Sequence, residues 1–301
     1  MGQALVHPDN ELNELPGDEW LYFTKSLWTT AYPSELGHNL RKAHGANKPP
    51  RLMARLIEFF TRRDELVLDP FAGVGGTLLG AAMCRRPRRA LGFELDQRWV
   101  SVYETVVREA MGEHEGAGPI LADLGAADPG GERDFDPTSC QMLTGDALAL
   151  LAKQPVASVD LVAMDPPYNP QLRMTMAGGQ LAAEFANRRT DYAMVSDDPR
   201  DLANSATYAE YLDRMEVVLT GCRRVLRDGR YAVVIVRDAY QGGSYRFTGA
   251  DLAARAATVG FTVKGDLIWY QAGTRLRPYG YPRTFVPNIV HQHILVLRAE
   301  R

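Results

Sequence analysis

Val159-Asp160-Leu161-Val162-Ala163-Met164-Asp165-Pro166-Pro167-Tyr168 is the stretch on which the fold turns. Its first six residues are a short, largely apolar run of the kind that forms a buried strand. The run stops at an acid, two prolines and an aromatic. A strand ending this way delivers one carboxylate, two carbonyls and one ring to the carboxyl edge of a sheet, where open α/β sheets bind ligands. Proline lacks an N–H but keeps its C=O, so the edge is rich in acceptors on a backbone whose φ is fixed. Pro-Pro also marks ordinary turns, so the neighbouring elements must decide between a turn and a site.

Outward from this strand, helix-period and strand-period segments alternate. Leu52, Leu56, Ile57 and Phe60 recur at helical spacing over residues 51–61, and 65–69 follow as a short strand. Residues 76–86 read as a helix, 89–94 as a strand and 97–111 as a helix. Residues 112–139 are rich in Gly, Asp and Pro without a period and read as a flexible insertion. A strand at 140–143 and a short helix from Ala147 lead into the strand at 160–164. After a polar stretch at 169–206, helix 208–226, strand 230–236, helix 249–259 and strands 262–270 and 291–297 complete the chain. The pattern predicts an α/β fold with a mostly parallel seven-stranded sheet and helices on both faces. No helix separates the last two runs, so an antiparallel closing strand is expected. Residues 1–45 are expected as an N-terminal extension to a domain spanning 46–301.

The chain has 301 residues, three cysteines and a formal net charge of −3. Cys84, Cys140 and Cys222 show no metal-ligand spacing, which predicts reduced thiols and no structural metal. His291-x-His293 shares one face of a strand and is expected as two satisfied edge or core histidines rather than a metal pair. No apolar stretch is long enough for a membrane span, and MGQALVHPDNELNE lacks the basic and apolar regions of a signal peptide; a cytoplasmic protein is expected. The net charge argues against coating nucleic acid by bulk electrostatics but allows a local basic surface. Arg275, Arg277 and Arg283 alternate with Tyr279 and Tyr281 in a Pro/Gly-rich loop, a pattern suited to phosphate pairing and base stacking. Arg85, Arg86, Arg88 and Arg89 are expected at a helix end, as cations favoured by the macrodipole.

A second constellation precedes the opening strand. Asp69-Pro-Phe71-Ala-Gly73-Val-Gly75-Gly-Thr77 links a strand to a helix, with glycines that let the backbone approach a ligand. GxGxxG is absent, and Asp69 stands where a pyrophosphate would pass, so a ligand with a cationic or amino-acid end suits the loop better. Glu94 ends the next strand, placed for a ribose diol, and Asp146 ends the third, placed for an adenine amine. Three acids on successive strand ends describe a nucleoside with an amino-acid tail, and S-adenosylmethionine is that molecule. The acceptor-rich edge at Asp165 in turn suits the planar amine of a nucleobase.

Asp69-Pro-Phe-Ala-Gly73, Glu94 and Asp165-Pro166-Pro167-Tyr168 together resemble the amino-group DNA methyltransferases, which modify N6 of adenine or N4 of cytosine. The resemblance implies a Rossmann-like methyltransferase fold, S-adenosyl-L-methionine as cofactor and DNA as substrate. It assigns Lys48 and Pro49, in Lys48-Pro49-Pro50, to the methionine end of the cofactor. It further implies that a flipped base is held by the Asp165 carboxylate and the Pro166 carbonyl, with Tyr168 on its ring and no metal. Members that begin this tetrapeptide with Asp are mostly adenine enzymes, which favours N6-adenine over N4-cytosine. Related tetrapeptides serve RNA and protein amides, and a non-catalytic nucleic-acid-binding subunit is a further alternative; intact acids at 69, 94, 146 and 165 speak against the last. A restriction endonuclease or other subunit is an expected partner. The chain departs from the family in Gly76, where many members have Thr, and in showing no separate target-recognition domain. Recognition is therefore expected from the N-terminal 45 residues, from 169–206 and from 273–288.

Overall fold

A computed structural model describes residues 5–45, 47–114, 135–167 and 196–300. The N-terminal segment forms α1 (Gly17–Phe23), β1 (Leu27–Trp28) and α2 (His38–Arg41), followed by α3 (Pro50–Phe60), β2 (Leu66–Asp69), α4 (Gly76–Ala82), β3 (Arg89–Glu94) and α5 (Gln97–His114). Then come β4 (Cys140–Thr144), α6 (Ala147–Lys153), β5 (Val159–Met164), α7 (Tyr208–Val225) and β6 (Leu226–Val236). A small hairpin of β7 (Ala239–Gln241) and β8 (Ser244–Arg246) precedes α8 (Thr248–Thr258), β9 (Phe261–Tyr270) and β10 (His291–Ala299).

Local chemistry sets several of these boundaries. Pro50 opens α3, where its missing N–H costs nothing. Thr207 caps α7 by accepting from the Glu210 N–H at 3.1 Å, and the Glu210 carboxylate reaches back to the Ala206 N–H at 2.8 Å. Asp160, the one acid inside β5, is fully buried and accepts from the Leu66 N–H at 2.9 Å while pairing with Arg227 and Arg230. That network fastens β5 to the start of β2 and to β6.

The main sheet runs β1-β9-β10-β6-β5-β2-β3-β4. From β6 to β4 neighbours are parallel, while β10 is antiparallel to both β6 and β9. The closing strand therefore behaves as expected, but among the described residues the sheet has eight strands rather than seven. The addition is β1, which pairs Leu27 and Trp28 with Ile268 and Trp269 and is too short to show a period in sequence. Side chains alternate along β5: Leu161 and Ala163 join the core under α3, α4 and α5, and Val162 and Met164 join the core under α7 and α8. Both faces are covered, as the near-continuous apolar run requires.

Residues 1–45, expected as an extension, do not stand apart where they are described. Leu15, Phe23 and Trp28 are core residues, and Phe23 stacks on Phe59 with centroids 3.6 Å apart. The arginine cluster after α4 serves this packing and not the macrodipole, because α4 ends at Ala82. Arg85 bridges Glu19 at 2.6 Å and Glu58 at 3.4 Å, and Arg88 is buried against Thr61. His293 lies between Asp266 at 2.7 Å and Asp238 at 3.4 Å, whose bonds raise its pKa to about 9. Among the described residues no cluster could hold a metal ion, no helix could cross a membrane, and all three cysteines are free. Part of the expected insertion is helical, since α5 runs to His114; 115–134 lie outside the described residues.

Candidate active site

Chain connectivity reverses direction between β2 and β5: β2 leads outward to β3 and β4, β5 to β6 on the other side. The carboxyl ends of these adjacent strands flank the crevice where such sheets bind ligands. Asp69 ends β2 and Asp165 follows β5, and both line one pocket with Glu94 and Asp146. Four acids separated by up to 96 positions in sequence thus meet at one edge.

Asp69 is 3% exposed. Its carboxylate accepts from the Phe71 N–H at 2.9 Å and from the Thr77 hydroxyl, and burial raises its pKa to about 7. Glu94 accepts from the N–H groups of Gly73 and Asp96, each at 2.9 Å, and burial raises it to about 7 as well. Two acids that hold protons near neutrality mark a polar site screened from water. Asp146 differs: it caps α6 through the Ala149 N–H at 2.8 Å, using one of its oxygens for the fold.

Lys48 takes a place that sequence reasoning did not foresee. Its ammonium donates to the Asp165 carboxylate, with the two side chains only 7% and 13% exposed. The Lys48 backbone is fixed in turn, because the buried Arg41 guanidinium donates to its carbonyl at 2.7 Å. A Cβ on Gly76 would lie 2.9 Å from that same carbonyl. The glycine that departs from the family's Thr is thus required by the approach of the Lys48 segment. The adjacent Thr77 supplies a hydroxyl to Asp69.

The glycine loop divides into two roles. Phe71 and Gly73 line the pocket, Gly73 with φ +52° and its N–H on Glu94. Gly75 does not line it; at φ +79° it caps α4, and a Cβ there would fall 2.2 Å from the Tyr103 ring. Gly75→Ala is expected to cost about 1–3 kcal/mol, from the left-handed backbone and the overlap, read as a lowered urea midpoint at unchanged slope. Pro49 also lies off the pocket, as the residue before α3. Pro166 and Pro167 line it; Tyr168 lies outside the described residues. So does most of the 169–206 stretch, of which 196–206 is described.

Several lining residues carried no signal of their own in sequence. Asn47 and His44 come from the N-terminal segment, Trp99 from α5, and Asp201 and Leu202 from the turn before α7. Trp99 meets His44 edge-on at 4.8 Å and carries the Arg98 guanidinium 4.5 Å from its ring. Asp96, two residues past Glu94, was the one legible addition, since an acid there opens α5 at the pocket rim. Arg275, Arg277, Tyr279, Tyr281 and Arg283 are not in the pocket. They lie in the loop between β9 and β10, with Tyr281 77% exposed, and the loop's base is pinned by paired bonds between Arg277 and Asn288 at 2.8 Å. Because β9 runs parallel to β6, this loop leaves the sheet at the same edge as the pocket.

Comparison with known proteins places matches over most of the chain. The family described as DNA methylase, N6_N4_Mtase, matches residues 8–105 and 159–301. Type II methyltransferase M.MthZI of Methanothermobacter thermautotrophicus is 36% identical over 88 residues, 28% of this chain and 24% of that protein. Type II methyltransferase M.HindIII of Haemophilus influenzae is 47% identical over 51 residues, 17% of this chain and 16% of that protein. Among solved structures, TTHA0409 of Thermus thermophilus, complexed with S-adenosyl-L-methionine, is 24% identical with a TM-score of 0.35, covering 52% of this chain and 54% of that one. TrmN of Thermus thermophilus is 16% identical with a TM-score of 0.48, covering 87% of this chain and 53% of that one. The matched segments thus span a quarter or less of these curated relatives and about half of these structures.

Proposed function

The chain belongs to the DNA methylase family of amino-group methyltransferases, and on that premise we propose that it transfers a methyl group from S-adenosyl-L-methionine to the exocyclic amine of a base in DNA, with adenine N6 as the favoured acceptor. The observation that carries this reading is the meeting of Asp69, Glu94, Asp146 and Asp165 in one pocket at the reversal point of the sheet. The lining suits the cofactor's chemistry. Glu94 and Asp146 offer acceptors for a diol and an amine, and Gly73 leaves the loop bare of a side chain. The buried Asn47 Nδ2 has no partner among the described residues and offers a donor at the same pocket.

When bound, the cofactor supplies a methyl group on a positively charged sulfonium. Asp165 and the Pro166 carbonyl accept the two N–H bonds of the target amine. An aromatic amine is a poor nucleophile while its lone pair is delocalised into the ring; fixing both N–H bonds turns that pair toward the methyl. Lys48 pairs with one Asp165 oxygen and so fixes the orientation in which the carboxylate meets the amine. Tyr168 stacks on the flipped base, and the Arg275–Arg283 loop pairs phosphates. The methylated amine sheds its surplus proton to the Asp165 carboxylate and so to solvent, and positioning and electrostatics lower the barrier without a covalent intermediate. The lean toward adenine rests on the Asp that begins the tetrapeptide. A cytoplasmic location and a restriction endonuclease recognising the same sequence complete the proposal.

Glu94 provides a direct test. A diol donates best to an ionised carboxylate, and Glu94 titrates near 7, so cofactor affinity falls as the pH drops through 7. Between pH 7.5 and 6 the ionised fraction of such a group declines about eightfold, and affinity should follow. In the cofactor-free protein the sign reverses: a raised carboxyl pKa adds stability at acid pH that is lost as pH rises through 7. Glu94→Gln is expected to weaken binding and flatten its pH dependence in calorimetric titrations. A variant that retains the wild-type slope would remove Glu94 from the cofactor site.

A further inference from the structure

The β7–β8 hairpin belongs to neither the main sheet nor the pocket. It follows β6, which lies beside β5 in parallel register with Met164 opposite Val234, so it leaves the sheet at the edge that carries Asp165. Resting on the methylase reading above, we infer that this hairpin is a groove-reading ribbon: it enters the major groove of DNA beside the target base and sets sequence preference.

Its construction supports that role. Gly242 and Gly243 have φ of +57° and +78°, the two-residue turn that tight hairpins demand, and no atom lies within 4 Å of a Cβ on either. Cross-strand pairs are Ala239 with Arg246, Tyr240 with Tyr245, and Gln241 with Ser244. Alternation therefore puts the tyrosines on one face and Gln241, Ser244 and Arg246 on the other. The tyrosine face turns toward the body, since Tyr245 donates to the buried Asp238 at 3.0 Å. Asp238 also accepts from the Gly249 N–H at 3.1 Å and faces His293, which fixes the hairpin's base. The opposite face carries the residue types that read base edges, Arg for guanine and Gln for adenine, on a ribbon of a width the groove admits; there the exposed Arg246 rests with its guanidinium 5.6 Å from the Tyr208 ring.

Charge complementarity identifies the partner as DNA. Residues 239–247 and 271–290 contain Arg246, Arg275, Arg277 and Arg283 and no Asp or Glu, in a chain whose net charge is −3. Arg237 links the two segments by donating to the Ile289 carbonyl. Phe247, 62% exposed at the foot of the ribbon, adds an apolar contact on the same edge.

The test compares the full-length wild type with Arg246→Ala and with a Gln241→Ala/Ser244→Ala double variant. Three measurements are made: cofactor affinity by calorimetry, duplex binding by anisotropy across a salt series, and methylated positions in a random-sequence DNA library by modified-base sequencing. Cofactor affinity at the wild-type value reports an intact fold. Arg246→Ala should weaken binding to the recognised duplex and relax preference by about tenfold or more at one guanine position. The double variant should relax preference by about tenfold or more at one or two positions of the recognised sequence. Variants that match the wild type in sequence preference overturn the ribbon, whatever their salt slope, and leave the methylase reading standing. A wild type that methylates no DNA overturns both.

Discussion

Asp165→Ala is expected to reduce methyl transfer to DNA by about 10³-fold, while the protein that remains folded binds cofactor nearly as the wild type does. The expectation follows from the division of the pocket. Glu94, Asp146 and the Phe71–Gly73 loop stand at the ends of β2, β3 and β4, whereas Asp165 and the two prolines stand at the end of β5. On the proposed function one wall holds the methyl donor and the other holds the amine. Removing the Asp165 carboxylate leaves the amine with a single acceptor, so its lone pair relaxes into the ring and the reacting geometry is lost. Single-turnover transfer of a tritiated methyl group, measured beside calorimetric cofactor binding, separates the two effects. Equal loss of both would contradict the assignment of roles.

The second large effect is expected at Lys48. Its ammonium and the Asp165 carboxylate form a mostly buried pair, and removing one member of such a pair costs about 3–5 kcal/mol through the loss of that partner. Lys48→Met is therefore expected to be strongly destabilising, and Asp165→Asn, which removes the ammonium's carboxylate partner, to act in the same direction. The double variant leaves neither charge, so its loss is smaller than the sum by a coupling of about 1–3 kcal/mol. Urea unfolding of the four proteins gives that coupling. Simple additivity would mean that the pair contributes nothing and that Lys48 serves the cofactor alone. The position of Lys48 is not incidental: Arg41 grips its carbonyl, and Gly76 leaves room for that carbonyl against α4.

Much of this architecture was legible in sequence because strands buried on both faces are apolar and end abruptly. Val159–Met164 and Asp165-Pro-Pro announce a strand and its carboxyl edge together, and Asp69 and Glu94 do the same for their strands. The antiparallel β10 was legible because only a loop precedes it. Other features depend on contacts distant in sequence. Leu27 and Trp28 form a strand only because β9 offers them an edge more than two hundred positions downstream. Arg85 and Arg88 read as cations at a helix end until the partners from α1 and α3 were in place. The Lys48–Asp165 pair spans 117 positions, and neither residue's neighbours hint at it. The hairpin at 239–246 was missed because its strands are three residues each, too short for alternation to stand out.

Nucleoside analysis of DNA after incubation with the protein and labelled S-adenosylmethionine bears most directly on the central claim. The account predicts label in N6-methyladenine, dependent on Asp165 and absent from RNA and protein treated in parallel. Label in N4-methylcytosine would keep the site's chemistry and correct the base. Label in none of the DNA bases, or incorporation unchanged in Asp165→Ala, would contradict it.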